Sequence, residues 1–205
     1  PLSMERREKV KEARRRSSDA GTRKLADFPT KFHVTNIPEE DFIVIPEVTS
    51  ENRDYIPMEY MEVKETTKKL FSNLVKLMPG ATFYHFGVLQ SKVHMIWTKA
   101  ICGYKDFRPR YSTDVVYNNF PWPVVSQKVK ESIEKTAKKI LEARAKYPDC
   151  RLVDLYDVNS MPDDLKKAHL DNDKAVMAAY GFTGKNEEEV IKALLQLYKK
   201  LTTKK

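Results

Sequence analysis

The stretch Asp106-Phe107-Arg108-Pro109-Arg110 sets a carboxylate and two guanidinium groups at alternate positions. Side chains of an extended segment alternate in direction, so Asp106, Arg108 and Arg110 would project from the same side. Pro109 disfavours helical angles at Arg108, which protects that geometry. An aspartate can accept from the amino group of cytosine while an arginine donates to O6 and N7 of guanine, so Asp106 with Arg108 could read one C·G base pair. On charge alone, a solvated connection accounts for the same residues.

The other chemistry-bearing residues lack the company that catalysis needs. The six glycines form no Gly-rich phosphate or dinucleotide loop. His33, His85, His94 and His169 are scattered, and His94 falls among apolar residues at helical spacing, where a structural role is expected. Cys102 and Cys150 are far apart and give neither a zinc spacing nor a disulfide scaffold. Glu62-Val63-Lys64 contains half of a nuclease signature, without the Pro-Asp partner that should precede it. Asn118-Asn119-Phe120-Pro121-Trp122 is superficially like the Asn/Asp-Pro-Pro-aromatic motif of amino-methyltransferases, but the adjacent prolines are missing. Phe120 and Trp122 are therefore read as packing residues. No catalytic, cofactor-binding or metal-binding residue is assigned.

Charge points to a polyanion. Lysine and arginine total 37 against 29 acidic residues, for a net charge of +8. Such a surface gains from neutralising phosphates and releasing their counterions. Residues 1–24 concentrate the excess, and Arg14, Arg15, Arg16, Arg23 and Lys24, together with Arg53, are candidate phosphate contacts. A merely solvated basic face remains the alternative. No apolar run has the length of a signal peptide or a membrane span, so the expected location is the cytoplasm, without a membrane partner.

The elements that would position these residues fall into two textures. Residues 4–16 are helix-forming and highly charged, with only Val10 and Ala13 expected to be buried. Strands are expected at Lys31-Phe32-His33-Val34-Thr35 and at Phe42-Ile43-Val44-Ile45. A further pair, Leu74 to Met78 and Thr82 to Phe86, is expected around the Pro79-Gly80 turn. Residues 91–102 take helical spacing between Ser91 as N-cap and Gly103 as stop, and a polar loop from Tyr104 to Tyr111 follows. After Pro123, three helices are expected. Ser126 caps the first, a capping box from Ser160 to Asp163 opens the second and Gly181 ends it, and Asn186 caps the third. Val190, Ile191, Leu194, Leu195, Tyr198 and Leu201 make its apolar stripe. The predicted class is α+β: a mixed strand and helix domain over residues 1–123, then a small all-α domain over 124–205.

Longer motifs carry a resemblance. Tyr55-Ile56-Pro57-Met58, Pro79-Gly80-Ala81-Thr82-Phe83-Tyr84-His85-Phe86-Gly87-Val88-Leu89, His94-Met95-Ile96-Trp97 and Tyr117-Asn118-Asn119-Phe120-Pro121-Trp122-Pro123 resemble the target-recognition domain of MmeI-like enzymes. Ser17-Ser18 with Thr22-Arg23-Lys24-Leu25-Ala26-Asp27 is similar to the entry of that domain. Leu155-Tyr156-Asp157, Met161-Pro162, Leu165-Lys166-Lys167-Ala168-His169 and Asp173-Lys174-Ala175-Val176 resemble the family's C-terminal helical domain. These are large bacterial type II restriction–modification proteins that join an adenine-N6 DNA methyltransferase to a recognition domain and often a nuclease.

The resemblance implies a sequence-specific reader of double-stranded DNA. Its partners would be the duplex and an upstream methyltransferase domain of the same parent chain, which binds S-adenosylmethionine. It also implies that the catalytic loop and any nuclease lie upstream of Pro1, and that the chain opens inside the recognition region. In that family the specificity-setting loop follows a Cys-Gly pair, matched here by Cys102-Gly103, which places Asp106, Arg108 and Arg110 as base readers. Glu51 and Asn73 correspond to a second reading pair. The rival readings are an RNA-binding module, which the charge permits without any glycine-aromatic ribonucleoprotein motif, and a helical partner-binding domain for residues 126–205.

Overall fold

The computed structural model describes residues 2–32, 37–63 and 71–203. The chain divides into an N-terminal unit that ends at Ile37 and a larger unit that begins at Pro38.

In the N-terminal unit, helix α1 spans Leu2–Arg15 and a short α2 spans Ala20–Lys24. The Asp19 side chain accepts from the Thr22 N–H and caps α2. No residue of α1 is buried, and both Val10 and Ala13, expected inward, are exposed. A helix with two small apolar positions has no stripe wide enough to drive packing. Polar contacts do the work instead. The Arg14 guanidinium donates to the carbonyls of Leu25, Phe28 and Lys31 at 3.0, 2.6 and 2.7 Å, and so closes the chain after α2 back onto α1. Of the strand expected over 31–35, Lys31 and Phe32 are irregular, and residues 33–36, His33 among them, lie outside the described residues.

The larger unit begins with an antiparallel sheet of order β2-β1-β3, formed by Phe42–Pro46 (β1), Glu59–Met61 (β2) and Val75–Pro79 (β3). Central β1 pairs Phe42 with Met61 on one side and with Pro79 on the other, and it buries Phe42, Ile43 and Ile45. Gly80 then turns the chain at φ +65, in the left-handed region open to glycine.

The strand expected over 82–86 is instead helix α3, Phe83–Leu89. The Pro79-Gly80 turn, read as the middle of a strand pair, misled the reading. The deciding signal is a capping box in which Thr82 and His85 satisfy each other's end of the helix. Helix α4, Lys92–Ile101, follows as expected, capped by the Ser91 side chain on the His94 N–H. The loop expected from Tyr104 is a hairpin, Gly103–Lys105 (β4) with Arg108–Arg110 (β5). Residues Thr113–Tyr117 then wind as one turn of π-helix that ends near Trp97, whose indole N–H donates to the Val116 carbonyl at 3.0 Å.

The helical part comprises α5 (Gln127–Arg144), a four-residue α6 (Leu152–Leu155), α7 (Asp163–Tyr180) and α8 (Glu187–Thr202). Asn186 and Glu189 close the capping box expected at α8, and Gly181 ends α7 in the left-handed conformation. Two expected caps are not made. Ser126 sits at the N-cap of α5 without a side-chain hydrogen bond, and Ser160 donates to the Asp154 carbonyl while Pro162 takes the cap position of α7. In α8, Val190 and Leu194 are buried, Ile191 and Tyr198 half-buried, and Leu195 and Leu201 exposed, so the apolar stripe is narrower than expected.

These helices share one core with the mixed part. Helix α5 packs on both α3 and α7, and α4 packs on α8. Ile133, Ala137 and Ile140 of α5 are fully buried, as are Phe86 and Val88 of α3. A polar network runs through the same interior. Buried Arg144 donates to the Met58 carbonyl, to Gln90 Oε1 and to the Tyr156 hydroxyl, which lies 2.6 Å from His169 Nε2. Tyr55 donates to Asp173 Oδ2 at 2.6 Å, and Asn172 Nδ2 to the Gly87 carbonyl at 2.8 Å. Every partner here is buried, so each bond removes an otherwise costly unsatisfied group.

Candidate functional site

The β4–β5 hairpin grows from the end of α4. Its register pairs Gly103 with Arg110, Tyr104 with Pro109 and Lys105 with Arg108, leaving Asp106 and Phe107 as a two-residue turn. Asp106 takes φ +57, a left-handed conformation that aspartate tolerates better than most residues. Arg108 and Arg110 are exposed and Pro109 is buried between them, which is the alternation expected of an extended strand. Asp106 departs from that expectation because it occupies the turn. It still meets Arg108, whose Nη2 lies 3.0 Å from Oδ2.

Strand β5 is fastened to the chain that continues β1. The Tyr111 N–H donates to the Glu47 carbonyl at 2.7 Å and the Thr49 N–H to the Pro109 carbonyl at 3.2 Å, while the Glu47 N–H reaches the Leu74 carbonyl at 2.8 Å. Residues 47–49 thus tie the segments around 74 and 110 together, and Glu51 and Asn73 are exposed at the ends of this platform. Asn73 Oδ1 accepts from Ser72 Oγ at 3.3 Å. The structure therefore attaches Arg110, Glu51 and Asn73 to one backbone ladder.

Glu47, which the sequence did not single out, organises the base of the hairpin. Its carboxylate meets Arg110 Nη2 at 2.7 Å and Lys76 at 3.7 Å. The hydrogen bond from Arg110 holds the Glu47 carboxyl below its usual pKa. Glu47 lies 63 positions from Arg110, and no local pattern marks it.

The candidate phosphate contacts divide by how their side chains are held. Arg16 is exposed beside Glu12 at 3.5 Å, Arg15 lies 3.1 Å from Asp27, and Lys24 is exposed. Arg23 donates to the carbonyls of Ser17 and Ser18, and Arg14 is engaged with three carbonyls as described. Arg53 is half-buried, with Nη1 at 3.4 Å from Thr49 Oγ1 and Nη2 at 3.1 Å from the Val153 carbonyl. It links the segment carrying Glu51 to α6.

The remaining candidates are structural. His94 is fully buried, with Nε2 at 3.1 Å from the Tyr111 hydroxyl, and burial pulls its pKa down to about 3. His169 is likewise held well below its usual value by burial, with the Arg144 charge adding to the effect. His85 belongs to the α3 cap. Phe120 packs edge-on to His94 and Trp122 edge-on to Phe120. Lys64, the last residue of the Glu-x-Lys triplet, lies outside the described residues. Among the described residues no cluster of His, Cys, Asp or Glu could hold a metal ion, and no helix is long and apolar enough to cross a membrane.

Family models place this scaffold. The MmeI target recognition domain matches residues 1–124, and the MmeI C-terminal domain matches residues 125–204. This chain belongs to the MmeI family. It is 38% identical over 203 residues to DNA methyltransferase A of Bacillus subtilis (strain 168), covering 98% of this chain and 22% of that protein. It is similar also to a solved structure of the type IIL restriction-modification enzyme MmeI in complex with DNA, at 40% identity and a TM-score of 0.88, over 99% of this chain and 27% of the other. The MmeI-family chain thus spans about a quarter of the length of these relatives. At that level of identity the likeness extends to the fold of both matched regions.

Proposed function

We propose that this chain is the duplex-DNA reading part of a site-specific adenine-N6 DNA methyltransferase of a restriction–modification system. The carrying observation is the β4–β5 hairpin: in a chain of the MmeI target-recognition family, it presents Asp106, Arg108 and Arg110 to solvent on a ladder that also bears Glu51 and Asn73. A two-stranded ribbon is narrow enough for the major groove, where donor and acceptor patterns distinguish all four base pairs. Arg14, Arg15, Arg16, Arg23, Lys24 and Arg53 are the proposed phosphate contacts, which set register and general affinity. Residues 1–123 would do the reading and residues 124–205 would brace it.

Methylating an adenine requires taking it out of the helical stack, so a reader must hold the duplex in fixed register while another domain holds the base. In this proposal that domain is elsewhere in the parent protein, as is the site for S-adenosylmethionine. The six glycines are scattered over a short helix, turns, a helix crossing, a strand start and a helix end, and do not make a cofactor-cradling loop, so no catalytic step is assigned to these residues. The compartment expected of such an enzyme is the cytoplasm.

Competition binding with duplex DNA, single-stranded DNA and RNA tests the reading. Duplex containing the methylated site should compete best, and equal competition by RNA would defeat it. Incubation of the chain with labelled S-adenosylmethionine and mixed DNA should transfer nothing above background; transfer that survives removal of host enzymes would show a catalytic site within these residues.

A further inference from the structure

Phe107 is 82% exposed, more than any other aromatic ring among the described residues. It stands at the tip of the hairpin, between Asp106 and Arg108 in sequence, whose side chains pair at 3.0 Å, and two residues after Lys105. Among the described residues, no aromatic or cation–π contact involves the ring. The turn is made by the left-handed angle at Asp106, and the hairpin is anchored by buried Pro109 and by Glu47 on Arg110. A large apolar group held in water amid cations gains only from a partner that is apolar locally and anionic overall. In the major groove of DNA the apolar feature that a base presents is the C5-methyl group of thymine.

We propose that Phe107 is a specificity-determining residue whose ring packs on the thymine C5-methyl of the base pair adjacent to the one read by Asp106 and Arg108. This rests on the DNA-reading function proposed above. The two-residue turn fixes the ring next to the polar pair, so the two contacts address neighbouring steps of the groove. Asp106 and Arg108 would read hydrogen-bonding edges while Phe107 reads a methyl group.

The test uses the full-length parent protein and its site as mapped by sequencing methylated DNA. Binding is measured on the mapped duplex, and on duplexes in which the adjacent thymine is replaced by deoxyuridine, which removes only the methyl group. Wild type should lose about fourfold in affinity on that replacement, the equivalent of one buried methyl. Phe107→Ala should bind the thymine duplex about tenfold more weakly and be indifferent to the replacement. Phe107→Leu, which keeps apolar surface, should retain part of the sensitivity. The side chain is solvent-exposed, so none of these variants should lower Tm. Equal sensitivity to deoxyuridine in wild type and Phe107→Ala would overturn the proposal. So would a mapped site without thymine at either neighbouring pair, or unstacking of that step, seen by 2-aminopurine fluorescence, with no dependence on the methyl group. A wild-type protein that selects no duplex at all would instead sink the DNA reading on which the proposal stands.

Discussion

The Asp106–Arg108 pair is preassembled, yet it is held loosely. Both side chains are at least half exposed, and such pairs contribute roughly 0–1 kcal/mol. Hydrogen bonds to a base pair, at roughly 1–3 kcal/mol of discrimination, can therefore displace it. Exchanging the charges, with Asp106→Lys and Arg108→Asp in the full parent protein, should favour the inverted G·C pair by about 5- to 150-fold. Mapping methylated sites in cells expressing the double variant checks this, and an active enzyme with an unaltered site would show that the hairpin does not read that pair. The phosphate candidates differ in what their loss should do. Arg16→Ala and Lys24→Ala remove exposed cations, so each should weaken all duplexes alike and lower the salt slope of binding by about one. Arg14→Ala should in addition loosen the N-terminal unit, because three carbonyls lose their donor. An unchanged slope for both Arg16→Ala and Lys24→Ala would return them to a plainly solvated face.

At the scale of elements, the crossing of α3 on α5 depends on Gly87. A Cβ added there would lie 2.6 Å from Ile133 Cγ2 and 3.1 Å from both Ala137 Cβ and Asn172 Oδ1. Alanine ordinarily gains up to about 1 kcal/mol over glycine inside a helix. Here the overlap falls on a branched, fully buried isoleucine and on the side chain that caps the Gly87 carbonyl, so the helices must move apart. Overpacking of this kind costs about 1–3 kcal/mol, which outweighs the propensity gain. Gly87→Ala should lower the urea midpoint, with the slope m unchanged. An equal or raised midpoint would mean that the crossing can relax without loss. The α3 helix also shows where local pattern misleads: the Pro79-Gly80 turn suggested a strand pair, and packing on α5 together with the Thr82–His85 cap settled a helix.

Across the whole molecule, the shared interior makes stability depend on pH. His94 is neutral when folded, with its pKa pulled by burial to about 3, whereas an unfolded histidine titrates near ~6.5. Its contribution is complete above the unfolded value and is lost as pH falls toward the folded one. By pH ~5 the cost is about 2 kcal/mol. His169, also depressed by burial, acts in the same direction. Asp173 acts oppositely, since burial raises its carboxyl and its protonation then favours the folded state. Half-buried Glu47 and Asp164 and exposed Asp154 have lowered values and lose their pairing only in stronger acid. Urea denaturation at neutral pH and near pH ~5 should show wild type weakened by acid and His94→Gln weakened less. Equal losses would show that His94 does not govern the change.

Much was legible locally. Ser91, Gly181 and Asn186 marked helix ends because caps act within a few residues, and the β1 run announced itself by composition. The charge balance pointed to a polyanion, and the ordered motifs pointed to the MmeI family. The candidate readers Asp106, Arg108 and Arg110 came from alternation and from the family's loop; that they stand on a hairpin came only from the fold. Glu47 on Arg110, Arg53 on the Val153 carbonyl, and Arg144 reaching Met58 from 86 positions away were not legible at all. Each joins residues whose nearness depends on how the sheet and helices pack, and a carboxylate or guanidinium carries no mark of a distant partner. Caps, turns and charge are short-range properties of the chain, whereas the buried network and the platform under the hairpin exist only once the tertiary structure has closed around them.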